Sequence, residues 1–264
     1  MTRTITIIMI MAAFFFLFSC ANPMGSDSKN SDNGLAEQIP EDNGVLVDEE
    51  QNIVAGFTLD ENIDENSPAE IVGDADWVEG LSGSAMAFNT EGEYVFLPDA
   101  DELDLKYAGT VEAWIFPYSH VIGAGVVHKG VAPDYSDEAY TLQFWTPGKP
   151  AFGVLNESGS LQIVISNSVI TTNEWHHLIG VWDDTTLYLY VDGLLSKSKD
   201  LPTGYLPVRN SDGGLLIGSQ LPEPNTYNND GFYRFDGIID EVNIFARALS
   251  QSEIADRYTE LNPE

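Results

Sequence analysis

The stretch from Glu174 to Gly193 reads EWHHLIGVWDDTTLYLYVDG and predicts a β-hairpin. β-Branched and aromatic residues, which suit a pleated surface, fill both halves. Asp183–Thr186 forms the break between the strands, and Asp192-Gly193 is a second turn signal. A four-residue loop and the alternation of side chains put three pairs on one face: Trp182–Leu187, Gly180–Leu189 and Leu178–Val191. Neither face is very polar, so we expect the hairpin to lie centrally in a sheet covered on both sides.

The N-terminus resembles the leader of a bacterial lipoprotein. Residues 5–18 are apolar except Thr6, a length that suits a signal-peptide core and is short for a membrane span. The run ends Leu17-Phe18-Ser19-Cys20, similar to a lipobox, and Cys20 is the only cysteine. The alternative is an ordinary cleaved signal peptide with an incidental cysteine. The lipobox predicts a signal peptide over 1–19 and a lipid anchor on Cys20. The mature chain would then lie at the bacterial envelope, at the outer membrane or cell surface, without spanning it.

The rest of the chain divides into two parts. Residues 20–48 are rich in Ser, Asn, Asp and Glu and predict a flexible acidic tether. Residues 49–264 show turn signals about every ten residues, which predicts one all-β domain, a two-sheet antiparallel β-sandwich. One short C-terminal helix is expected, because Ser250 and Glu253 form a capping box. We expect this helix to pack against a sheet edge or end.

Four segments in order resemble a known family. They are Thr110–Ile115 (TVEAWI), Trp175–His177 (WHH), Leu189–Gly193 (LYVDG) and Phe235–Val242 (FDGIIDEV). Together they look like the laminin-G-like, concanavalin A-like β-sandwiches of bacteria. The resemblance implies a jellyroll of two antiparallel sheets, and it makes His177 a packing or hydrogen-bonding residue. The family includes glycan-binding modules, adhesion domains and accessory domains of secreted enzymes, so the fold alone does not define the function.

The charge of the chain excludes one class of partner. Forty-two acidic residues against eleven basic ones give a net charge of −31. Phosphate contacts need clustered Lys and Arg, so no nucleic-acid partner is expected. Close approach to anionic lipid is also disfavoured. The acidic residues have two interpretations: a solvated surface adapted to a salty or acidic-proteome setting, or binding of divalent cations.

A structural calcium ion is the cofactor that the sequence favours. Oxygen-bearing side chains alternate at Asp60, Asn62, Asp64 and Asn66, which suits a hard cation. In some members of the resembling family, an acid after the first strand and the aspartate of the tail motif hold calcium. Carried over, these residues are Asp60 and Asp240, so the predicted ligands are Asp60, Asn62 and Asp240. The alternative is a polar, solvated loop.

The sequence gives little support for a pair of catalytic carboxylates. Retaining glucanases of this fold carry Glu-x-Asp-x-Glu on one strand, and the nearest match, Glu102–Lys106, ends in the wrong residue. Asp240 and Glu241 are adjacent and would point to opposite faces of a strand. We therefore assign no catalytic residue and expect the protein not to be an enzyme.

Aromatic residues in loop-like segments are the candidate ligand contacts, because rings stack on sugar faces. They are Tyr135, Trp145, Tyr227, Phe232 and Tyr233, each of which could instead be a core residue. The expected function is an envelope-anchored, non-catalytic binding module for carbohydrate, acting as a monomer on a glycan or surface protein. A protein-interaction or adhesion domain is the main alternative, and a hydrolase is a third.

Overall fold

The computed structural model describes residues 3–5, 53–57, 69–89, 92–131, 136–221 and 233–262. They form two antiparallel sheets and one helix. In spatial order, sheet 1 contains β1 (Arg3–Ile5), β3 (Ala69–Val72), β6 (Tyr94–Leu97), β15 (Leu215–Ile217), β8 (Gly125–Lys129), β9 (Tyr140–Thr146), β10 (Lys149–Leu155) and β11 (Leu161–Ile165). Sheet 2 contains β14 (Leu194–Asp200), β13 (Thr186–Val191), β12 (His176–Trp182), β7 (Gly109–Pro117), β16 (Gly237–Phe245), β5 (Ser84–Phe88) and β4 (Asp76–Glu79), with β2 (Ile53–Phe57) paired to β16. A 3₁₀ turn covers Asp101–Leu103, and helix α1 covers Gln251–Leu261.

The hairpin of β12 and β13 has the predicted register. Trp182 pairs with Leu187, Gly180 with Leu189 and Leu178 with Val191. Asp183 stabilises the turn, because its Oδ1 accepts the amide hydrogens of Thr185 and Thr186 at 2.8 Å. β7 pairs with the other edge of β12, and β14 with the other edge of β13, so the hairpin is internal to sheet 2.

The core between the sheets contains the inward face of this hairpin. Leu178, Trp182, Leu187 and Leu189 are fully buried in it. The Trp182 ring lies 5.7 Å from Tyr140 and 5.9 Å from Phe152, both on sheet 1. Gly180 faces the Phe152 ring at a distance that leaves no room for a Cβ atom. The hairpin is therefore packed directly against β9 and β10 of the opposite sheet.

Helix α1 begins with the predicted capping box but lies elsewhere than expected. The Ser250 hydroxyl accepts from the amide of Glu253, whose carboxylate accepts from the Ser250 amide. The helix does not pack at a sheet edge or end. It covers the outer face of sheet 2, where Ile254 packs into a second apolar cluster with Ile179 and Val181. The physical reason is that the hairpin is apolar on both faces, and its outer face would otherwise expose this apolar surface to water.

The sequence patterns missed two edge strands. β4 and β14 lie at the two edges of sheet 2, and no sequence pattern predicted either. β14 reads LLSKSKD and is mostly exposed, so it lacks the apolar alternation that marks a strand. Edge strands often carry charged side chains, such as Lys197 and Lys199 in β14, which discourage pairing with another chain.

The predicted lipid anchor and tether fall mainly outside the described residues, and Cys20 is among those not described. β1 pairs Arg3–Ile5 with Ala69–Ile71 at the edge of sheet 1. It lies within the segment predicted to be cleaved, so sheet 1 of a processed chain would begin at β3. In the described part of the chain, no helix combines the length and apolar character needed to cross a bilayer.

Candidate functional site

An open pocket of about 510 Å³ lies on sheet 1. Leu142 and Phe144 of β9 belong to the core, so Gln143 and Trp145 point to the opposite, outer face. The residues that line the pocket come from β9, β10, β11 and the loops beside them: Ile122, Gly123, Glu138, Gln143, Trp145, Leu155, Gly159, Leu161, Gln220 and Tyr233. The wall is thus partly apolar, with a few polar groups among aromatic and aliphatic side chains, as in many ligand sites.

Two aromatic side chains line the pocket. Trp145 is 42% exposed at the end of β9. Tyr233 is half-buried and has a φ of 74°, a left-handed conformation that is unusual for tyrosine. Its carbonyl oxygen accepts the amides of Gly125 and Gln220, both at 3.1 Å, which holds the backbone in this conformation. Its ring lies against Gly123, where a Cβ atom would come within 2.6 Å. Backbone strain of this kind, held by surrounding contacts, is common in ligand sites.

A pair of buried glutamines supplies polar groups beside these rings. The Gln220 Nε2 atom donates to the carbonyl oxygen of Gly123 at 2.6 Å and to the side-chain oxygen of Gln143. Each glutamine therefore has a defined orientation. The Gln143 amide nitrogen and the Gln220 amide oxygen can respectively donate to and accept from a ligand. A donor and an acceptor held close together suit a hydroxyl-rich molecule.

The acidic group of the pocket is Glu138, which is 7% exposed. No described residue donates a hydrogen bond to its carboxylate. Burial raises the pKa of Glu138 to about 7; the positive charge of Arg209 partly opposes this shift, and the negative charge of Asp137 adds to it. Burial without a hydrogen-bond donor among the described residues disfavours the charged form, so the pKa of Glu138 is the most strongly shifted in the pocket.

The structure brings two of the predicted ligand residues together. Trp145 and Tyr233 are far apart in sequence and line the same pocket. Tyr135, Tyr227 and Phe232 lie outside the described residues. Sequence reasoning missed Glu138, Gln143 and Gln220. Glu138 is one of 42 acidic residues, and no local motif distinguishes it from the others.

The predicted calcium ligands are only partly described. Asp60 and Asn62 lie outside the described residues, as do Asp64 and Asn66. Asp240 is fully buried, and its Oδ2 accepts from the Leu81 amide at 2.8 Å while Oδ1 accepts from the Glu241 amide at 2.9 Å. Among the described residues, no group of three His, Cys, Asp or Glu side chains is arranged to hold a metal. Asp240 therefore anchors the loop before β5, and calcium binding stays a prediction.

His177 has the packing and hydrogen-bonding role that the family resemblance implied. It stacks on Trp114 with ring centroids 4.6 Å apart, and its Nε2 lies 2.7 Å from the Glu112 carboxylate. Arg257 of α1 also binds Glu112, with its Nε atom 2.8 Å from Oε2. These contacts fasten the helix to the outer face of sheet 2.

The neighbouring His176 resembles part of a hydrolase triad but has a structural role. Its Nδ1 lies 3.0 Å from Asp192, and its Nε2 lies 2.9 Å from the Thr171 hydroxyl. In a triad, the histidine accepts the proton of the nucleophilic hydroxyl. The Thr171 hydroxyl instead donates its hydrogen to Glu174 at 2.7 Å, so this hydrogen is not available to His176. Asp192 also accepts from the His177 amide at 2.9 Å. The group therefore joins the two ends of the β12–β13 hairpin.

Comparison with known proteins supports the fold that these elements form. The sequence profile described as the concanavalin A-like lectin/glucanases superfamily matches residues 89–255. The chain belongs to this superfamily. No curated protein sequence matches this concanavalin A-like chain.

Solved structures similar to this concanavalin A-like chain include one arabinanase domain and two toxin binding domains. Domain 4 of AbnA, a GH43 extracellular arabinanase from Geobacillus stearothermophilus, solved with arabinotriose, has a TM-score of 0.53 at 20% identity, covering 80% of this chain and 91% of its own. The binding domain of paraclostridial mosquitocidal protein 1 has a TM-score of 0.56 at 16% identity, covering 74% of this chain and 48% of its own. The ligand-binding domain of botulinum neurotoxin serotype D, solved with N-acetylneuraminic acid, has a TM-score of 0.58 at 13% identity. The match covers 80% of this chain and 51% of the toxin domain. The chain thus spans about half the length of these toxin domains, and at such identities the likeness shows the fold alone.

Proposed function

We propose that this concanavalin A-like domain is a non-catalytic carbohydrate-binding module, held at the bacterial envelope by a lipid on Cys20. The observation that carries the proposal is the meeting of Trp145 and Tyr233 at one open pocket, beside the oriented amides of Gln143 and Gln220. Aromatic faces and paired amide groups complement the apolar and hydroxyl faces of a sugar ring. The arabinotriose complex of AbnA domain 4 supports the same ligand class.

Binding rather than hydrolysis fits the carboxylates of the site. Among the described residues that line the pocket, Glu138 is the one acidic side chain. Retaining glycosidases need two carboxyl groups about 5–5.5 Å apart across the scissile bond. The neighbouring Asp137 directs both carboxylate oxygens to the Val131 amide, at 3.2 and 3.1 Å. Its carboxylate is therefore already engaged by the protein backbone.

The test is a glycan array with calcium present, followed by calorimetric titration of the strongest ligand. Trp145→Ala should weaken binding about tenfold or more, since loss of an aromatic contact of ~1.5 kcal/mol corresponds to that factor. Tyr107→Ala is the matched control, because Tyr107 is 65% exposed and lines a different surface depression. Its affinity should equal that of the wild type.

Two outcomes would contradict the proposal. Unchanged affinity of the Trp145→Ala variant would exclude this pocket as the sugar site. No binding of any glycan by the folded wild type would instead favour a protein-interaction domain. The exposed Leu194 and Leu195, 72% and 46% accessible at one end of the β13–β14 hairpin, are the apolar groups such a partner could cover.

A further inference from the structure

Glu138 gives the pocket a chemical preference that the aromatic rings alone do not. Its carboxylate is more than nine-tenths buried, lines the pocket and receives no hydrogen bond from the described residues. Buried charges in proteins are normally paired with a cation or with several hydrogen-bond donors. Within the described residues this carboxylate has no hydrogen-bond donor, so a ligand that enters the pocket can supply one.

We infer that the ligand presents a cationic nitrogen to Glu138, so that this pocket selects amino sugars over acidic sugars. The inference rests on the proposed carbohydrate-binding function. An ammonium group offers three donors and a full positive charge, which makes its hydrogen bonds to a carboxylate stronger than those of a neutral hydroxyl. The carboxylate of a uronic or sialic acid would instead meet Glu138 as a like charge in a site of low dielectric.

The surroundings of Glu138 agree with a cationic ligand. Trp145 and Tyr233 line the same pocket, and aromatic rings attract cations to their faces through the ring quadrupole. The net charge of −31 draws cations towards the protein from solution. The nearby Arg209 donates to the carbonyl oxygen of Ser136, so its guanidinium is held by the backbone rather than by the Glu138 carboxylate.

Binding of an amino sugar should depend on pH, because only the ionised carboxylate pairs with an ammonium. The charged and titratable groups that act on Glu138 are Arg209 and Asp137, with Tyr205 coupled more weakly. Their balance with burial leaves the pKa of Glu138 at about 7. The apparent affinity scales with the ionised fraction, so it should fall about 15-fold between pH 7.0 and pH 5.5. The amine gains protons as the pH falls, so its own titration strengthens binding and cannot account for a loss of affinity.

The experiment is calorimetric titration of the purified protein with three probes at both pH values. The probes are a glucosamine oligosaccharide, the matching N-acetylglucosamine oligosaccharide and a galacturonic acid oligosaccharide. Glu138→Gln removes the charge with little change in shape. Glu157→Gln is its control, since Glu157 is exposed and carries the same charge. Thermal melts of both variants would verify that they fold.

The expected result is that the wild type and Glu157→Gln bind the glucosamine oligomer tightest, with the 15-fold loss at pH 5.5. Glu138→Gln should bind the glucosamine and N-acetylglucosamine oligomers with similar affinity, and that affinity should no longer fall at pH 5.5. Equal wild-type affinity for the amine and its N-acetylated match, or tighter binding of the uronic acid, would overturn the inference. If neutral sugars still bind and Trp145→Ala removes that binding, the proposed function stands and only the amine preference is wrong.

Discussion

Replacement of Glu112 should weaken the attachment of helix α1 to the sandwich and lower the stability of the protein. The Glu112 carboxylate is 2% exposed and lies between sheet 2 and α1. Three side chains donate to it: His177 from β12 at 2.7 Å, Arg257 from α1 at 2.6–2.9 Å and Asn243 from β16 at 3.2 Å. Arg257 is the only one of the three that belongs to the helix. The carboxylate thus joins the helix to two strands.

The expected cost of Glu112→Gln follows from this geometry. The variant removes the carboxylate that pairs directly with Arg257 and turns an amide NH₂ towards groups that are themselves donors. Removing one partner of a buried ion pair typically costs about 3–5 kcal/mol. The Arg257 side chain is 24% exposed and can be partly hydrated, so we expect about 3 kcal/mol. For a domain of this size, that corresponds to a Tm roughly 6–12 °C lower.

The same prediction has a pH dependence with a defined sign. Burial alone would raise the pKa of Glu112, but the His177 and Arg257 donors outweigh it, so the pKa is lowered. A carboxyl with a lowered folded-state pKa contributes fully above its unfolded value of about 4.3, and the contribution is lost as pH falls through the folded value. The stability difference between wild type and Glu112→Gln should therefore be full at pH 7 and smaller at pH 3.

Urea unfolding at the two pH values would measure this difference. Asp256→Asn is the control, because Asp256 is an exposed acid on the same helix and should change stability by less than about 0.5 kcal/mol. The Glu112→Gln, Arg257→Gln double-mutant cycle would isolate the pair itself. The reasoning is refuted if the free energy of unfolding of Glu112→Gln lies within about 0.5 kcal/mol of the wild-type value at pH 7. It is also refuted if the difference between the two proteins is as large at pH 3 as at pH 7.

Two further predictions concern the metal and the anchor. Calcium at about 100 times its Kd adds about 2.7 kcal/mol to the free energy of unfolding. Millimolar calcium at that excess should therefore raise the Tm by roughly 5–10 °C, and Asp60→Asn should reduce this shift. The absence of a shift, with no metal by elemental analysis, would remove the calcium site. Cys20→Ser should abolish incorporation of labelled fatty acid, whereas Ser19→Ala should leave it unchanged. Failure of the wild type to take up lipid would favour an ordinary signal peptide.

Local patterns predicted the strands whose side chains alternate and whose turns are marked. The β12–β13 register could be read from the sequence because Asp183–Thr186 limits the loop, and a one-residue slip would move Trp182 out of the core. The start of α1 was equally readable, since a capping box is a contact between residues three apart. The exposed edge strand β14 was missed because little of it is buried, and burial produces the apolar alternation.

The candidate site could be predicted only in part. Trp145 and Tyr233 were chosen from the composition of their segments, but their meeting at one pocket depends on the pairing of distant strands. Glu138 carries no sequence signal, because its raised pKa arises from burial, and burial is a property of the packed fold. Gln143 and Gln220 likewise gain their orientation from each other across the sheet face.

The sequence by itself determined the class of this protein: the hairpin register, the capped helix and the four segments shared with the concanavalin A-like superfamily. Each depends on contacts between near neighbours or on a pattern of alternation, which the order of residues contains directly. Only the tertiary structure decided that α1 covers the outer face of sheet 2 and that Glu138 lies buried beside Trp145. The physical reason is that burial and charge pairing depend on which distant surfaces meet, and no local stretch of the chain encodes that meeting.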